Sequence, residues 1–483
     1  MTYHQTLIIG CGFSGICMAI KLREAGCDDL LILEQADEVG GTWRDNHYPG
    51  AECDVPSALY SYSFERKTDW DYQWSEQPQI LEYIKNVVHK HDLRERTRFH
   101  SLVTGARYDE DSARWTVTLQ DGDQLQCQYL VSAVGQLHKP SIPDIPGRDS
   151  FTGPAFHSAD WQDDLDLTGK SVAVVGNAAS AVQFIPSVAE QAGQLTVYQR
   201  SANWVSEKLD RPYTDREKRI MRRFPFIKTL ARLRIYLRNE LLVFPAIRGN
   251  RFLRKAMEGF CHKYLESVVQ DPELRAKLTP DYTVGAKRVL VVAGYYEALV
   301  QEHVELVTDS ITAIDATGVT TEDGKHRDCD VLIFGTGFIT NPFLDGIDVR
   351  GRGGKTLAQH WSAGATAYLG VATHDFPNLF FLYGPNTNLG HNSILLMAEA
   401  QVQYIIRAMR ETANRDASAV EVKAEVEAAY DRDIQARLEK MAWSEVEDSW
   451  YKEGDRITNN WPGSVGEYRR TLRRFNADQF QYS

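Results

Sequence analysis

Six residues near the start of the chain limit what it can fold into. Gly10-Cys11-Gly12-Phe13-Ser14-Gly15 is a complete GxGxxG, preceded by the apolar run Leu7-Ile8-Ile9. Helical spacing follows from about Ser14 to Ala25 and is closed by Gly26. In such a turn the three glycines allow, in order, a tight bend, close approach of backbone to a pyrophosphate, and close contact between helix and strand. The helix N-terminus adds partial positive charge and free N–H groups aimed at the diphosphate. A second apolar run, Leu30-Leu31-Ile32-Leu33, ends at Glu34, where a carboxylate can accept from a ribose hydroxyl pair. The glycines alone could be a structural turn. With strand, helix and acid in register they predict a βαβ dinucleotide site.

The pattern recurs. Ser171-Val172-Ala173-Val174-Val175 leads into Gly176-Asn177-Ala178-Ala179-Ser180-Ala181, and the strand Leu195-Thr196-Val197-Tyr198 ends at Gln199-Arg200. Ala178 occupies the middle glycine position, so a methyl group stands where backbone should come closest to phosphate. Arg200 stands where NAD-specific proteins carry an acid, which favours a 2′-phosphate and therefore NADPH; the plain alternative is a solvated charge. Two dinucleotide sites in one chain suit a flavoprotein. The seven cysteines are scattered, with no CxxC, so a redox disulfide beside the flavin, a disulfide framework and a zinc cluster are all unsupported. Electrons on a reduced flavin must leave by another route, most simply to oxygen.

At 483 residues the chain is long enough for two or three domains, and 43% hydrophobic with 25% charged residues argues against wholesale disorder. A net charge of -12 disfavours nucleic acid. The first residues, MTYHQTLIIG, do not read as a signal peptide, and no apolar run approaches the ~20 residues that cross a bilayer. A reducing cytoplasm fits the free thiols. Residues 136–153, with Pro140, Pro143 and Pro146, read as a linker. Residues 215–255 hold thirteen basic and three acidic side chains in a helical pattern broken at Pro225 and Pro245. The expected architecture is α/β, with two Rossmann-like domains and a helical insertion. Residues 1–145 and 345–483 would form the FAD-binding domain, 146–204 and 285–344 the NADPH-binding domain, and 205–284 the insertion.

Two further segments make a family resemblance specific. Gly40-Gly41-Thr42-Trp43-Arg44-Asp45-Asn46-His47-Tyr48-Pro49-Gly50-Ala51-Glu52-Cys53-Asp54 resembles the GGxWxxxxYPGxxxD signature of type I Baeyer–Villiger monooxygenases. Phe151-Thr152-Gly153-Pro154-Ala155-Phe156-His157-Ser158-Ala159-Asp160-Trp161 resembles their FxGxxxHxxxW fingerprint, although Gln162 follows where the family usually has proline or aspartate. The resemblance implies FAD and NADPH as cofactors, a C4a-peroxyflavin, and insertion of one oxygen atom beside a ketone carbonyl to give an ester or lactone.

It also implies roles residue by residue. Gly41, Thr42 and Trp43 would contact the flavin cofactor, whose diphosphate and ribose fall to Gly10, Gly12, Gly15 and Glu34, and Asp54 would sit near its reactive edge. Lys287 would join Gly176, Ser180 and Arg200 on NADPH, and Arg288 would be the active-site arginine. His157 and Trp161 would couple domain movement to cofactor handling. Gly335-Thr336-Gly337 resembles the family's ATG turn, with glycine for alanine. Asn386, in Gly384-Pro385-Asn386-Thr387-Asn388, would precede a helix facing the flavin, and Trp450 would belong to a mobile substrate loop.

The chemistry fits an arginine at that position. A guanidinium stays charged at working pH, so it favours an anionic oxidant and stabilises the oxyanion formed at an attacked carbonyl. Asp54 would hold it in place. Plainer readings stand beside these: a surface ion pair for Arg288, a turn residue for Asp54, packing for Trp450, and structural roles for His47 and His391. No metal site is expected. A heteroatom (sulfur or nitrogen) monooxygenase and an uncoupled NADPH oxidase remain as alternatives. The expected partners are a small-molecule ketone and O2, with the oligomeric state open. The basic insertion, with Phe224, Phe226, Leu230, Leu233, Leu237, Leu241 and Leu242, offers a face for an anionic membrane surface, but the preferred expectation is a helical domain that walls a substrate channel with its charges in solvent.

Overall fold

Strand β1 (Thr2–Ile9), helix α1 (Phe13–Glu24) and strand β2 (Leu30–Leu33) form the first βαβ unit in the computed structural model, which describes residues 1–446 and 451–483. β1 and β2 pair in parallel from Thr6↔Leu30 to Ile9↔Leu33. Strands covered on both faces read as unbroken apolar runs, which is why Leu7-Ile8-Ile9 and residues 30–33 were legible. After α2 (Thr42–Asp45) and α3 (Gln77–Lys90) come β3 (Thr97–Arg98), β4 (Val103–Asp109), β5 (Arg114–Leu119) and β6 (Gln124–Ser132). The sheet order is Asp348–Arg350, β4, β5, β6, β1, β2, β3. β6 serves a further partner: its first half pairs antiparallel with β5, its second half parallel with Leu379–Phe381. The chain thus returns to its first sheet after residue 345.

A second, wholly parallel sheet is built from β7 (Ala155–His157), β8 (Ser171–Val175), α4 (Ala179–Gln191) and β9 (Gln194–Tyr198). Its order is Val304–Val307, β9, β8, Val331–Phe334, β7. The α/β class, with two sheets of dinucleotide-binding type, is the one read from the sequence.

The insertion leaves and re-enters side by side, because Val205–Glu207 pairs in parallel with Leu290–Val292. Between them lie α5 (Asp215–Arg223), α6 (Phe226–Arg238), a π-turn at Asn239–Val243, α7 (Phe244–Ile247) and α8 (Arg251–Val268). Thr214 and Glu217 cap α5 reciprocally.

One expectation needs correction: the charges of the insertion do not all lie in solvent. Its seven apolar residues are exposed, Leu230 by 62% and Leu241 by 64%. The inward face of α6 carries Lys228 and Arg232 instead, which satisfy backbone carbonyls beneath them. The helix expected after the Gly384–Asn388 segment is present and begins at Leu395; before it, His391 meets Glu240 of the insertion. Among the described residues no helix is long and apolar enough to cross a membrane.

Candidate active site

In the first turn the glycines meet backbone, not side chains. Gly10 has φ +102, and a Cβ there would lie 2.7 Å from the Ala133 carbonyl oxygen. A Cβ on Gly15 would lie 2.0 Å from the Gly10 oxygen, an overlap that no rotamer relieves. Gly12 faces Gly41, whose Cα is 3.8 Å from where a Gly12 Cβ would stand. The two form a slot walled by bare backbone, which suits a diphosphate at the start of α1. Glu34 lies buried at the end of β2. Its carboxylate accepts from the Cys11 N–H at 2.8 Å, the Ala36 N–H at 3.1 Å and the Arg44 guanidinium at 3.0 Å. The acid therefore also ties the turn to the segment carrying Thr42 and Trp43.

The second turn has the same backbone and different volumes. Ala178 (φ −83, ψ −166) superposes in torsion on Gly12 (φ −90, ψ −169), so its methyl group brings no strain and points outward. Gly176 (φ +108) repeats Gly10, with a Cβ position 2.4 Å from the Gly335 oxygen. A Cβ on Gly335 would in turn lie 2.8 Å from that of Ala181. Arg200 is exposed beyond β9, and the Lys287 ammonium lies over the Tyr282 ring at 4.9 Å.

The signature loop joins the two units. Tyr48 donates to Gln183 of α4 at 2.9 Å, and the Gln183 amide donates to the Glu52 carbonyl at 3.0 Å. Gly50 has φ +78, and a Cβ there would sit 2.5 Å from the Gln183 carbonyl oxygen, so only glycine lets the loop close on the helix. Burial pushes the Tyr48 hydroxyl up to about 12, with Ser180 as a hydrogen-bonding neighbour opposing the shift. The fingerprint adds to the joint: His47 meets the Trp161 carbonyl at 3.2 Å, and Trp161 packs edge-on against Phe156 at 5.5 Å. Gln183 escaped the sequence reading, because a glutamine on a helix carries no local signal; the only hint was the glycine opposite it.

The same loop delivers Asp54 to Arg288. The guanidinium donates to the Asp54 carboxylate, 234 residues away in sequence, with side chains 35% and 27% exposed. That carboxylate raises the arginine pKa still further, against the opposing pull of burial. Tyr383 and Tyr451 flank the pair and add to its field. Tyr383 takes the left-handed conformation (φ +59) and donates to Asn388 at 2.6 Å. Trp43 donates to Tyr60 at 3.0 Å beside them.

Other expected residues lie further out. Asn386 spends its amide on the carbonyls of Ile457 (2.9 Å) and Asn460 (3.2 Å), bracing the following chain. His157 is buried next to Phe334 in register, and burial lowers its pKa, keeping the ring neutral. Trp450 lies outside the described residues. All seven cysteines are free. His360, His374 and Glu427 bring ligand atoms within 4.8 Å, but both Glu427 oxygens already accept from Thr366, Thr373 and His374.

Comparison with known proteins agrees with this geometry. A family model described as pyridine nucleotide-disulphide oxidoreductase matches residues 7–224. A Baeyer-Villiger monooxygenase of Pseudomonas aeruginosa is 40% identical, covering 99% of this chain and 91% of that protein. Among solved structures, oxidized steroid monooxygenase bound to NADP aligns with TM-score 0.90 and 32% identity over 100% of this chain and 99% of that one. OTEMO in complex with FAD and NADP aligns with TM-score 0.89 and 29% identity over 99% of each.

Proposed function

Because the chain belongs to the family of Baeyer–Villiger monooxygenases, we propose that it inserts one atom of O2 beside the carbonyl of a small ketone, with NADPH as reductant. The overall balance is ketone, O2, NADPH and a proton giving ester or lactone, water and NADP+. The enzyme is an FAD- and NADPH-dependent oxidoreductase. Bound FAD, once reduced, supplies the electrons that activate oxygen. Everything else in the reaction falls to the chain's own residues.

The Gly12–Gly41 slot and buried Glu34 fit the adenosine diphosphate half of FAD, and residues 1–145 with 345–483 would hold it. Residues 146–204 with 285–344 would hold NADPH, through the Gly176 turn, Ser180, Arg200 and Lys287. Arg288 carries a charge that no pH in the working range removes, and so cannot deliver its proton. Held by Asp54, it stabilises negative charge as the carbonyl is attacked. Tyr383 and Tyr451 lie beside the pair and favour its charge. The observation that carries this reading is the Arg288–Asp54 contact, which joins the first unit to the second. Free thiols throughout fit a reducing compartment such as the cytoplasm.

The test is product analysis on linear, cyclic and aryl ketones beside NADPH consumption. In Arg288→Ala, ester formation should fall by about a hundredfold or more, while FAD stays bound and NADPH oxidation ends in hydrogen peroxide. Unchanged ester formation would remove Arg288 from the reaction. Sulfoxide from a thioether, with no ester from any ketone, would make the enzyme a heteroatom oxygenase.

A further inference from the structure

Helix α6 is inside out. Arg232, buried, donates to the carbonyls of Leu59 and Ser61, both at 2.9 Å, and buried Lys228 donates to that of Lys67. At about 100° per residue, Phe226, Leu230, Leu233 and Leu237 fall within one narrow arc on the opposite side. They are 65%, 62%, 47% and 42% exposed. Leu241 and Leu242, in the π-turn, prolong the line into solvent. A helix on a globular surface normally has the reverse arrangement, and a continuous exposed apolar ridge marks a surface that something else covers.

What surrounds the ridge points to the cover. On one flank Arg234 and Arg238 are exposed. On the other, Tyr236 forms part of the wall of a cavity of about 600 Å³ lined by Lys21, Arg407, Arg469, Arg470 and Arg473. Among the described residues none of these four arginines is in an ion pair. The carboxylate in that lining, Glu399, accepts from the Ser63 N–H at 2.6 Å. Residues 215–255 carry thirteen basic side chains against three acidic, in a chain whose net charge is -12. Lys228 and Arg232 are buried, and Lys218, Arg222 and Arg254 pair with Asp71, Asp69 and Glu445, which leaves the others to face solvent. Two copies meeting about a twofold axis would press identical basic rims together. A bilayer containing anionic lipid offers the opposite charge and an apolar interior at once.

We propose that α6 docks the enzyme on anionic membranes. The Phe226–Leu230–Leu233–Leu237 ridge enters the boundary between headgroups and acyl chains, while Arg234 and Arg238 on one side and the arginine-lined cavity on the other meet lipid phosphates. Nothing in this surface touches the Arg288–Asp54 pair, so docking and oxygenation are separable.

Flotation of the FAD-loaded enzyme with vesicles tests it, using phosphatidylcholine alone or in equal parts with phosphatidylglycerol. The enzyme should float with the anionic vesicles at low salt and lose binding as salt rises. Leu230→Ser/Leu233→Ser/Leu237→Ser should weaken binding at least tenfold, or about 1.4 kcal/mol. Arg469→Gln/Arg470→Gln should weaken it by about fivefold per charge on anionic vesicles only. Both variants alter exposed positions and should keep wild-type turnover of a water-soluble ketone, which certifies their fold. Failure to float with either vesicle, or full retention in the triple serine variant, overturns the proposal. So does sedimentation equilibrium showing a dimer that the serine variant converts to monomer, which would give the ridge to a second copy of the chain.

Discussion

Helices α1 and α4 start from the same bend, at Gly12 and at Ala178, with torsions within a few degrees of each other. In each, the preceding glycine turns against a neighbouring strand's end: Gly10 against Ala133, Gly176 against Gly335. The units differ in where they place the missing methyl group. The first puts it on the helix, as Gly15, and keeps alanine on the facing strand. The second puts alanine on the helix, as Ala181, and glycine on the strand, as Gly335. In the second unit the strand glycine, Gly335, makes room for the helix alanine, Ala181; in the first, Gly15 answers instead to the carbonyl oxygen of Gly10 in its own turn. The polar ends also differ: a buried acid, Glu34, bonded on three sides, against an exposed base, Arg200. That contrast fits the proposed retention of FAD by the first unit and exchange of NADPH at the second.

The sharpest way to break this comparison is Gly15→Ala. Its Cβ would meet the Gly10 oxygen at 2.0 Å, so the loss should reach about 3 kcal/mol and cost the protein its FAD, read as flavin absorbance after gel filtration. Next is Arg200→Gln. If the base holds a 2′-phosphate, KM for NADPH should rise by about tenfold or more, as for a lost hydrogen bond to a charged group, with KM for NADH and bound flavin unchanged. Gly335→Ala comes third, at about 1–2 kcal/mol in thermal unfolding, because its closest clash is with the Ala181 methyl group at 2.8 Å, with the Phe184 ring next at 3.3 Å. Adding Ala181→Gly should recover most of that loss; additive losses would end the claim of exchanged volume. Smallest is Ala178→Gly, whose backbone is already glycine-like. It should change NADP+ affinity by no more than about threefold and stability by under about 1 kcal/mol.

Local spacing made much of the fold legible. Buried parallel strands announce themselves as apolar runs, and both glycine turns were visible because bend, helix and strand are neighbours in sequence. Long-range placement was a different matter. No periodicity could join Asp54 to Arg288 across 234 residues; the pair was reachable only through the signature's resemblance. Gln183 was invisible because its value lies in a hydrogen bond to Tyr48, 135 residues away. The orientation of α6 was misread for a physical reason: a helical stripe of leucines marks one face but not which side of the molecule that face meets. Carbonyls at residues 58–61 in need of donors decided that Arg232 would turn inward.

The turns select cofactors, and the joint between the two units makes the reaction. That claim is tested most directly by a double-mutant cycle on ester formation per NADPH consumed, comparing Arg288→Ala, Asp54→Asn and both together. If Asp54 acts by holding Arg288, the double variant should be no worse than Arg288→Ala alone, and Asp54→Asn should retain part of the yield. Losses that simply multiply, or an Asp54→Asn variant with undiminished yield, would contradict the account.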